Sequence, residues 1–179
     1  MKLVAGCTIL LICGCSGSND NKSAAVDWTA GRGTEACHEW QQAFCELEAK
    51  CGSASVATCG SQVQTIQCAS DTTAADCATS MAAATCSTMP AGCNSTDVAD
   101  TAWAKQACID YLTAMCTHNA NCGSSTSVDT CVANQQTTSS CSKAIGVKLN
   151  YESCMSQINA ASCTTQLATE CASLIYVTP

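Results

Sequence analysis

The sequence predicts an all-α fold made of two tandem, disulfide-rich small helical bundles that arose by internal duplication. Three observations predict it. First, sixteen cysteines fall into two sets of eight: Cys37, Cys45, Cys51, Cys59, Cys68, Cys77, Cys86 and Cys93, then Cys108, Cys116, Cys122, Cys131, Cys141, Cys154, Cys163 and Cys171. Matching members are offset by 71, 71, 71, 72, 73, 77, 77 and 78 residues, a repeat with insertions in the second copy. Second, the copies share Ala-Cys-x-x-aromatic-x-x-Ala-large apolar-Cys-x5-Cys-Gly-Ser, so more than cysteine repeats. Third, Ala-rich stretches such as Ser80–Thr85 favour helix, and almost no β-branched alternation supports strands.

Residues 1–14 read as a signal peptide. Lys2 gives a basic start, Leu3 to Ile12 is apolar apart from Thr8, and no charge recurs until Asp20. The stretch is far shorter than the roughly 20 residues that span a bilayer. Its end, Ile12-Cys13-Gly14-Cys15, resembles the bacterial lipobox, in which the final cysteine becomes the lipidated N-terminus. The resemblance implies cleavage after Gly14 and a thioether diacylglyceryl group on Cys15. Cysteine arithmetic agrees. Nineteen cysteines, less Cys7 and Cys13 in the signal and Cys15 on lipid, leave an even sixteen. Several acyl chains on one residue anchor stably where single chains bind marginally. Ser16 after the lipid site favours the outer membrane by resemblance to lipoprotein sorting rules. Residues 15–33 then read as lipid anchor and flexible, Gly/Ser-rich tether, in which Trp28 rests on the folded domain or on the bilayer interface, the first being favoured.

The first repeat, 34–95, opens with Thr34 as N-cap and Glu35 at the positive end of the helix dipole. Cys37, Trp40, Phe44, Leu47 and Cys51 recur at three- or four-residue steps and share one face. Gly52 stops the helix. Helices follow near Val56–Gln67 and Ala74–Thr85, the latter with a capping-box-like start at Thr73 and Asp76, and Met89–Cys93 makes a short turn. In the second repeat, 96–179, Asp97 and Asp100 start a helix. Cys108, Tyr111, Met115, His118 and Cys122 share its face, and Gly123 stops it. Helices near Val128–Ser139 and Tyr151–Ser162 take Ser127 and Asn150 as N-caps. A fourth apolar helix is expected around Thr165–Ile175.

Composition explains the staples. The chain holds one Phe, three Trp and three Tyr, and domains of this size bury too little apolar surface to be comfortably stable alone. Disulfides, at about 2–4 kcal/mol each, are the substitute. The cysteines are spaced too widely for zinc knuckles, with no Cys-x-x-Cys beyond Cys37. Disulfides require an oxidising compartment. Eight cysteines allow 105 connectivities. An up-down bundle favours Cys51–Cys59 and Cys122–Cys131, with every bridge inside its own repeat.

No catalytic residue, metal set or cofactor site is expected. His38 aligns with Ile109 and His118 with Leu47, so the copies share no histidine, and both read as surface or helix-edge side chains. No Gly-x-Ser-x-Gly, His-Glu-x-x-His, phosphate loop or EF-hand occurs. Trp40 and Tyr111 are equivalent and read as core, with ligand stacking the sharper alternative. A net charge of −7 argues against nucleic acid, whose affinity rests on Lys and Arg. Plant lipid-transfer proteins and fungal haem-binding domains need a Cys-Cys doublet or Cys-x-Cys, absent from the mature region, so their ligands are not carried over.

Taken together, the lipobox, the low-complexity tether and Cys-x2-[Trp/Tyr]-x4-Cys-x5-Cys-Gly resemble cysteine-rich lipoproteins encoded in many copies by myxobacteria and other delta-proteobacteria. The resemblance spans nearly the whole chain. It implies a lipid-anchored protein of the bacterial cell envelope, displayed at the outer membrane on its periplasmic or surface face, and supplies no activity. The expected function is a non-enzymatic structural or protein-interaction module with an envelope or extracellular protein partner. The alternative is a carrier of a small apolar ligand within the helical repeats.

Overall fold

Most helix signals in the sequence become helices near the expected places, the helix expected over Val56–Gln67 ending at Val63 and that over Ala74–Thr85 running from Asp71 to Ala82. The computed structural model describes residues 25–165 and 168–177. The expected signal peptide and the Cys15 lipid site lie outside the described residues. Helix α1 (Glu35–Lys50) starts where Thr34 Oγ accepts from the Cys37 N–H at 3.4 Å. Helices α2 (Val56–Val63) and α3 (Asp71–Ala82) follow, capped by the Ser55 and Ser70 hydroxyls. The cap of α3 is therefore Ser70, and the expected pair Thr73 and Asp76 lies within the helix. A single-turn helix α4 (Ser95–Val98) leads to α5 (Thr101–Asn121), capped by the Asp100 carboxylate. Helix α6 (Val128–Ser139) is capped by Ser127, while Asn150 gives no side-chain cap to α7 (Tyr151–Ala160). Helices α1 and α5 both run out into a glycine with positive φ, Gly52 at 76° and Gly123 at 93°, a conformation glycine adopts at no steric cost.

The chain direction of each half follows from its contacts. In the first half the Cys37–Cys68 bridge joins the start of α1 to the approach to α3. Cys51–Cys86 joins the end of α1 to the segment just past α3. The two helices therefore run side by side in the same direction, and α2 returns against α1, bridged to it by Cys45–Cys59. The second half repeats this with α5, α6 and α7.

All sixteen cysteines pair within their own half. The bridges are Cys37–Cys68, Cys45–Cys59, Cys51–Cys86 and Cys77–Cys93, then Cys108–Cys141, Cys116–Cys131, Cys122–Cys163 and Cys154–Cys171. Numbered along each set, both halves pair first with fifth, second with fourth, third with seventh and sixth with eighth. The expected Cys51–Cys59 and Cys122–Cys131 bridges are thus corrected. Cys59 and Cys131 lie one turn inside the returning helix, not at its start. Antiparallel packing sets each opposite a residue further back on the preceding helix. Cys45 and Cys116 meet that need, about 9 Å along the axis from Cys51 and Cys122 at 1.5 Å per residue.

The fully buried residues of α1 are Cys37, Trp40 and Cys45, joined by Gln41; Phe44 and Cys51, on the expected face, are only half-buried. In α5 the buried set is Ala104, Ala107, Cys108, Tyr111, Leu112 and Cys116, while Met115 and His118 are half-buried and Cys122 is exposed. Helix α5 carries its last turn past the core, while α1 keeps Leu47 of its last turn buried.

Two strands were not expected. β1 (Ala144–Val147), buried throughout, pairs antiparallel with β2 (Ile175–Val177). The apolar run around 165–175 is accordingly not a fourth helix: among its described residues it holds a single 3-10 turn at Thr169–Cys171 and then enters β2. Leu174 and Cys171 are buried in the second core, so its hydrophobicity serves packing without helical periodicity.

Candidate functional site

β1 is where the halves meet. The Val147 N–H donates to the Thr65 carbonyl at 3.0 Å. Ile145 lies in the core of the first half, and Tyr176 packs against that core from β2. Gly146 sits so close that a Cβ there would lie 2.5 Å from the Thr65 carbonyl oxygen. On the other side of the seam, Ala69 N–H donates to Val98 O and Asp100 N–H to Gln67 O.

Arg32 rivets this seam. The expected tether through Gly33 is not a free linker at its end: from Asp27 the chain turns through Trp28–Ala30 and lies across α1 and α2. Gln64 donates its side-chain amide to Asp27 O, and Gln64 O accepts from Arg32 N–H at 2.9 Å. The Arg32 side chain then crosses to the second half. Nε donates to Val147 O at 2.9 Å and Nη2 to Lys148 O at 2.7 Å. Both Nη atoms bind Glu152 at 2.8 and 2.9 Å. The guanidinium also lies 5.5 Å from the Trp103 ring centroid and 5.9 Å from that of Tyr151. The Arg32 hydrogen bond holds the Glu152 carboxyl below its usual range. Burial, then the nearby Asp110 and Glu152 carboxylates, pushes Tyr151 up to about 12.

Two open grooves mark the surface, the first of them beside the rivet at Lys148. One, of about 430 Å³, lies on the seam between Gln62 and Thr65 of the first half and Lys148, Leu149 and Tyr176 of the second. Leu149 is the exposed large hydrophobic side chain among the described residues, at 44%. The other, of about 530 Å³, lies between α5 and α6.

The candidate chemistry disperses. His38 Nε2 donates to the Gly31 carbonyl at 3.1 Å, fastening the N-terminal segment. His118 lies at the far end of α5, 3.8 Å from Cys122 Sγ. Among the described residues no group of three His, Cys, Asp or Glu side chains is placed to hold a metal. Trp40 and Tyr111 are buried, and each spends its polar atom alike: Trp40 Nε1 donates to Cys93 O at 3.2 Å, Tyr111 Oη to Cys171 O at 2.8 Å. These acceptors are the eighth cysteines of their sets. Arg32, the residue joining the halves, carried no signal in the sequence because a single arginine in a polar stretch has no periodicity to read.

Comparison with family models, with curated proteins and with solved structures finds no match for the chain.

Proposed function

We propose that the chain is a lipid-anchored protein of the bacterial envelope, built from two copies of one disulfide-stapled helical unit and acting as a non-enzymatic structural or protein-interaction module. The carrying observation is the shared order of the eight disulfides, with the equivalent aromatics on equivalent carbonyls. Independent origin would have to reproduce one pairing order out of about 105, so duplication is the economical reading. Eight bridges also call for an oxidising compartment, in keeping with export and with Cys15 as the lipid site. The ionisable side chains lining the two grooves are Lys105 in one and Lys148 and Tyr176 in the other. The carrier alternative wants an enclosed apolar cavity. Trp40 and Ile66 are fully buried in one half and Ile158 and Leu174 in the other, and the two grooves are open to solvent. With Leu149 the exposed large hydrophobic, recognition would run through these polar-rimmed grooves and not through a broad apolar patch.

Two measurements test this. Mass spectrometry of the native N-terminus should find diacylglyceryl-Cys15; an unacylated residue overturns the anchor. Photo-crosslinkers placed at Leu149 and Lys105 in intact cells should yield adducts with another protein. Recovery of uncrosslinked chain alone overturns the interaction reading.

A further inference from the structure

In the first half, the groove between α1 and α2 is occupied by residues 26–32 of the chain itself. Val26 and Trp28 lie on Gly60, where a Cβ would stand 3.1 Å from Val26 and 3.3 Å from the indole. Three backbone groups of the strap are tied: Asp27 O to Gln64, Gly31 O to His38, and Arg32 N–H to Gln64 O. The groove of about 530 Å³ between α5 and α6 is its counterpart. Counting from the shared cysteines, Lys105 replaces Thr34, Ile109 replaces His38, Val132 replaces Gly60, and Gln136-Thr137 repeat Gln64-Thr65. Lys105, Ile109, Gln136 and Thr137 all line it. No segment of the described chain crosses it as the strap crosses the first groove.

We propose that the α5–α6 groove is the docking site for one extended peptide segment of a partner protein, laid across the helices as residues 26–32 lie across α1 and α2. This rests on reading the halves as copies, and it names the class of partner for the module proposed above. The differences between the grooves state what the peptide must carry. Gln136 keeps the carboxamide that holds a strap carbonyl in the first half, and it makes no side-chain hydrogen bond among the described residues. Ile109 in place of His38 exchanges a carbonyl contact for an aliphatic one. By sequence position Val132 stands where Gly60, with no side chain, receives the indole in the first half, so an indole there would meet a valine. Lys105 is exposed and forms no ion pair among the described residues, so it favours an acidic side chain at the mouth. The fitting segment is extended, with an acidic residue beside a small aliphatic one and no aromatic over Val132.

The probe is a synthetic peptide of residues 25–33 carrying Trp28→Ala, titrated into the full oxidised, 15N-labelled chain. Amide shifts should concentrate on Lys105, Ile109, Ala133, Gln136, Thr137 and Ser140, with a Kd near or below ~1 mM. The peptide retaining Trp28 should bind several-fold more weakly, and Val132→Gly should remove that difference. Lys105→Glu, on an exposed side chain, should weaken the Trp28→Ala peptide about five-fold, as expected for an exposed charge pair. Unshifted groove amides well above millimolar peptide overturn the proposal. So do shifts centred on His38 and Gln64, which would mean displacement of the chain's own strap. A concentration-dependent dimer whose contacts join the groove to a second copy's strap would overturn the partner assignment. A failure of peptide binding is distinguishable from a failure of the envelope reading, which the N-terminal mass spectrum tests. It is equally distinguishable from a failure of the duplication, which the disulfide pairing order tests.

Discussion

Replacing Arg32 with alanine should uncouple the halves without unfolding either. Its side chain is 12% exposed while that of its ion-pair partner Glu152 is 66% exposed. The ion pair is therefore the weak part, at about 0.5 kcal/mol after solvent screening. The two carbonyl contacts, to Val147 and Lys148, are charged donors to neutral acceptors in a partly buried seam, at about 1.5 kcal/mol each. Packing over the Trp103 and Tyr151 rings adds up to about 1 kcal/mol. Arg32→Ala should then cost about 3.5–4.5 kcal/mol, and a shift of about 10 °C in the transition that reports the seam. Calorimetry with disulfides intact measures the shift. Hydrogen exchange locates it, and protection should fall at Arg32 and Val147 while Cys45 and Cys116 keep theirs. Glu152→Gln should cost no more than about 1 kcal/mol. Arg32→Lys should recover little, because an ammonium cannot reach two carbonyls and a carboxylate in one plane. If Glu152→Gln matches Arg32→Ala, the ion pair and not the carbonyl set holds the seam, and the reasoning fails.

Peptide mapping of the oxidised chain should return one pairing order in both halves; any Cys51–Cys59 or Cys122–Cys131 peptide refutes it. Under mild reductant without denaturant, Cys51–Cys86 and Cys122–Cys163 should open first, since Cys86, Cys122 and Cys163 are exposed while Cys45–Cys59 and Cys77–Cys93 are buried. Replacing Cys122 and Cys163 by Ser should cost up to about 4 kcal/mol, from the chain entropy of a loop spanning 41 residues. Gly146→Ala drives a Cβ against the Thr65 backbone and should cost about 1–3 kcal/mol, with near-wild-type helix content; an unchanged melting curve would refute the close approach. At alkaline pH, Tyr151 keeps its proton in the folded chain up to about 12, above the ordinary tyrosine value near ~10. Its contribution is complete below ~10 and lost as pH rises through about 12, so Tyr151→Phe should flatten that limb of the stability curve. Glu152, held low by Arg32, contributes above the usual glutamate range and loses that contribution as pH falls below it.

Helices were legible because their signals are local. Thr34, Ser127 and Gly52 act within one turn of where they stand, and the start of α6 at Val128 could be read from Ser127 alone. The seam was not legible because its parts are distant and individually ordinary. Gly146 looks like loop punctuation until Thr65 is placed against it, and Ile145 gives no hint that its core belongs to the other half. The expected tether failed at its end for the same reason, since Gly31 and Gly33 read as linker composition while serving close packing on α1. Disulfide pairing lay between these cases. Confinement to each half could be read from the repeat, but the partner of Cys59 depended on a one-turn offset between two helices. Spacing in sequence does not measure that offset.

The insertions that blur the repeat are the joint. From Cys37 through Cys51 the offset to the second copy is constant at 71, and it jumps from 73 to 77 between Cys141 and Cys154. That interval holds Ala144–Val147, the strand β1. In the first half the matching interval goes from Cys68 through Ser70 directly into α3. The chain beyond Cys171 then supplies β2, which pairs with β1 and packs Tyr176 on the first core. On the duplication proposed above, two identical units would each have needed only their own four bridges and would have had no reason to associate. The residues by which the second half exceeds the first hold a buried strand that fits Thr65 of the first half, and the segment preceding α1 supplies Arg32, which clamps the same strand. Departure from the repeat is therefore concentrated where one unit must recognise the other, while the disulfide framework that each needs alone keeps one pairing order.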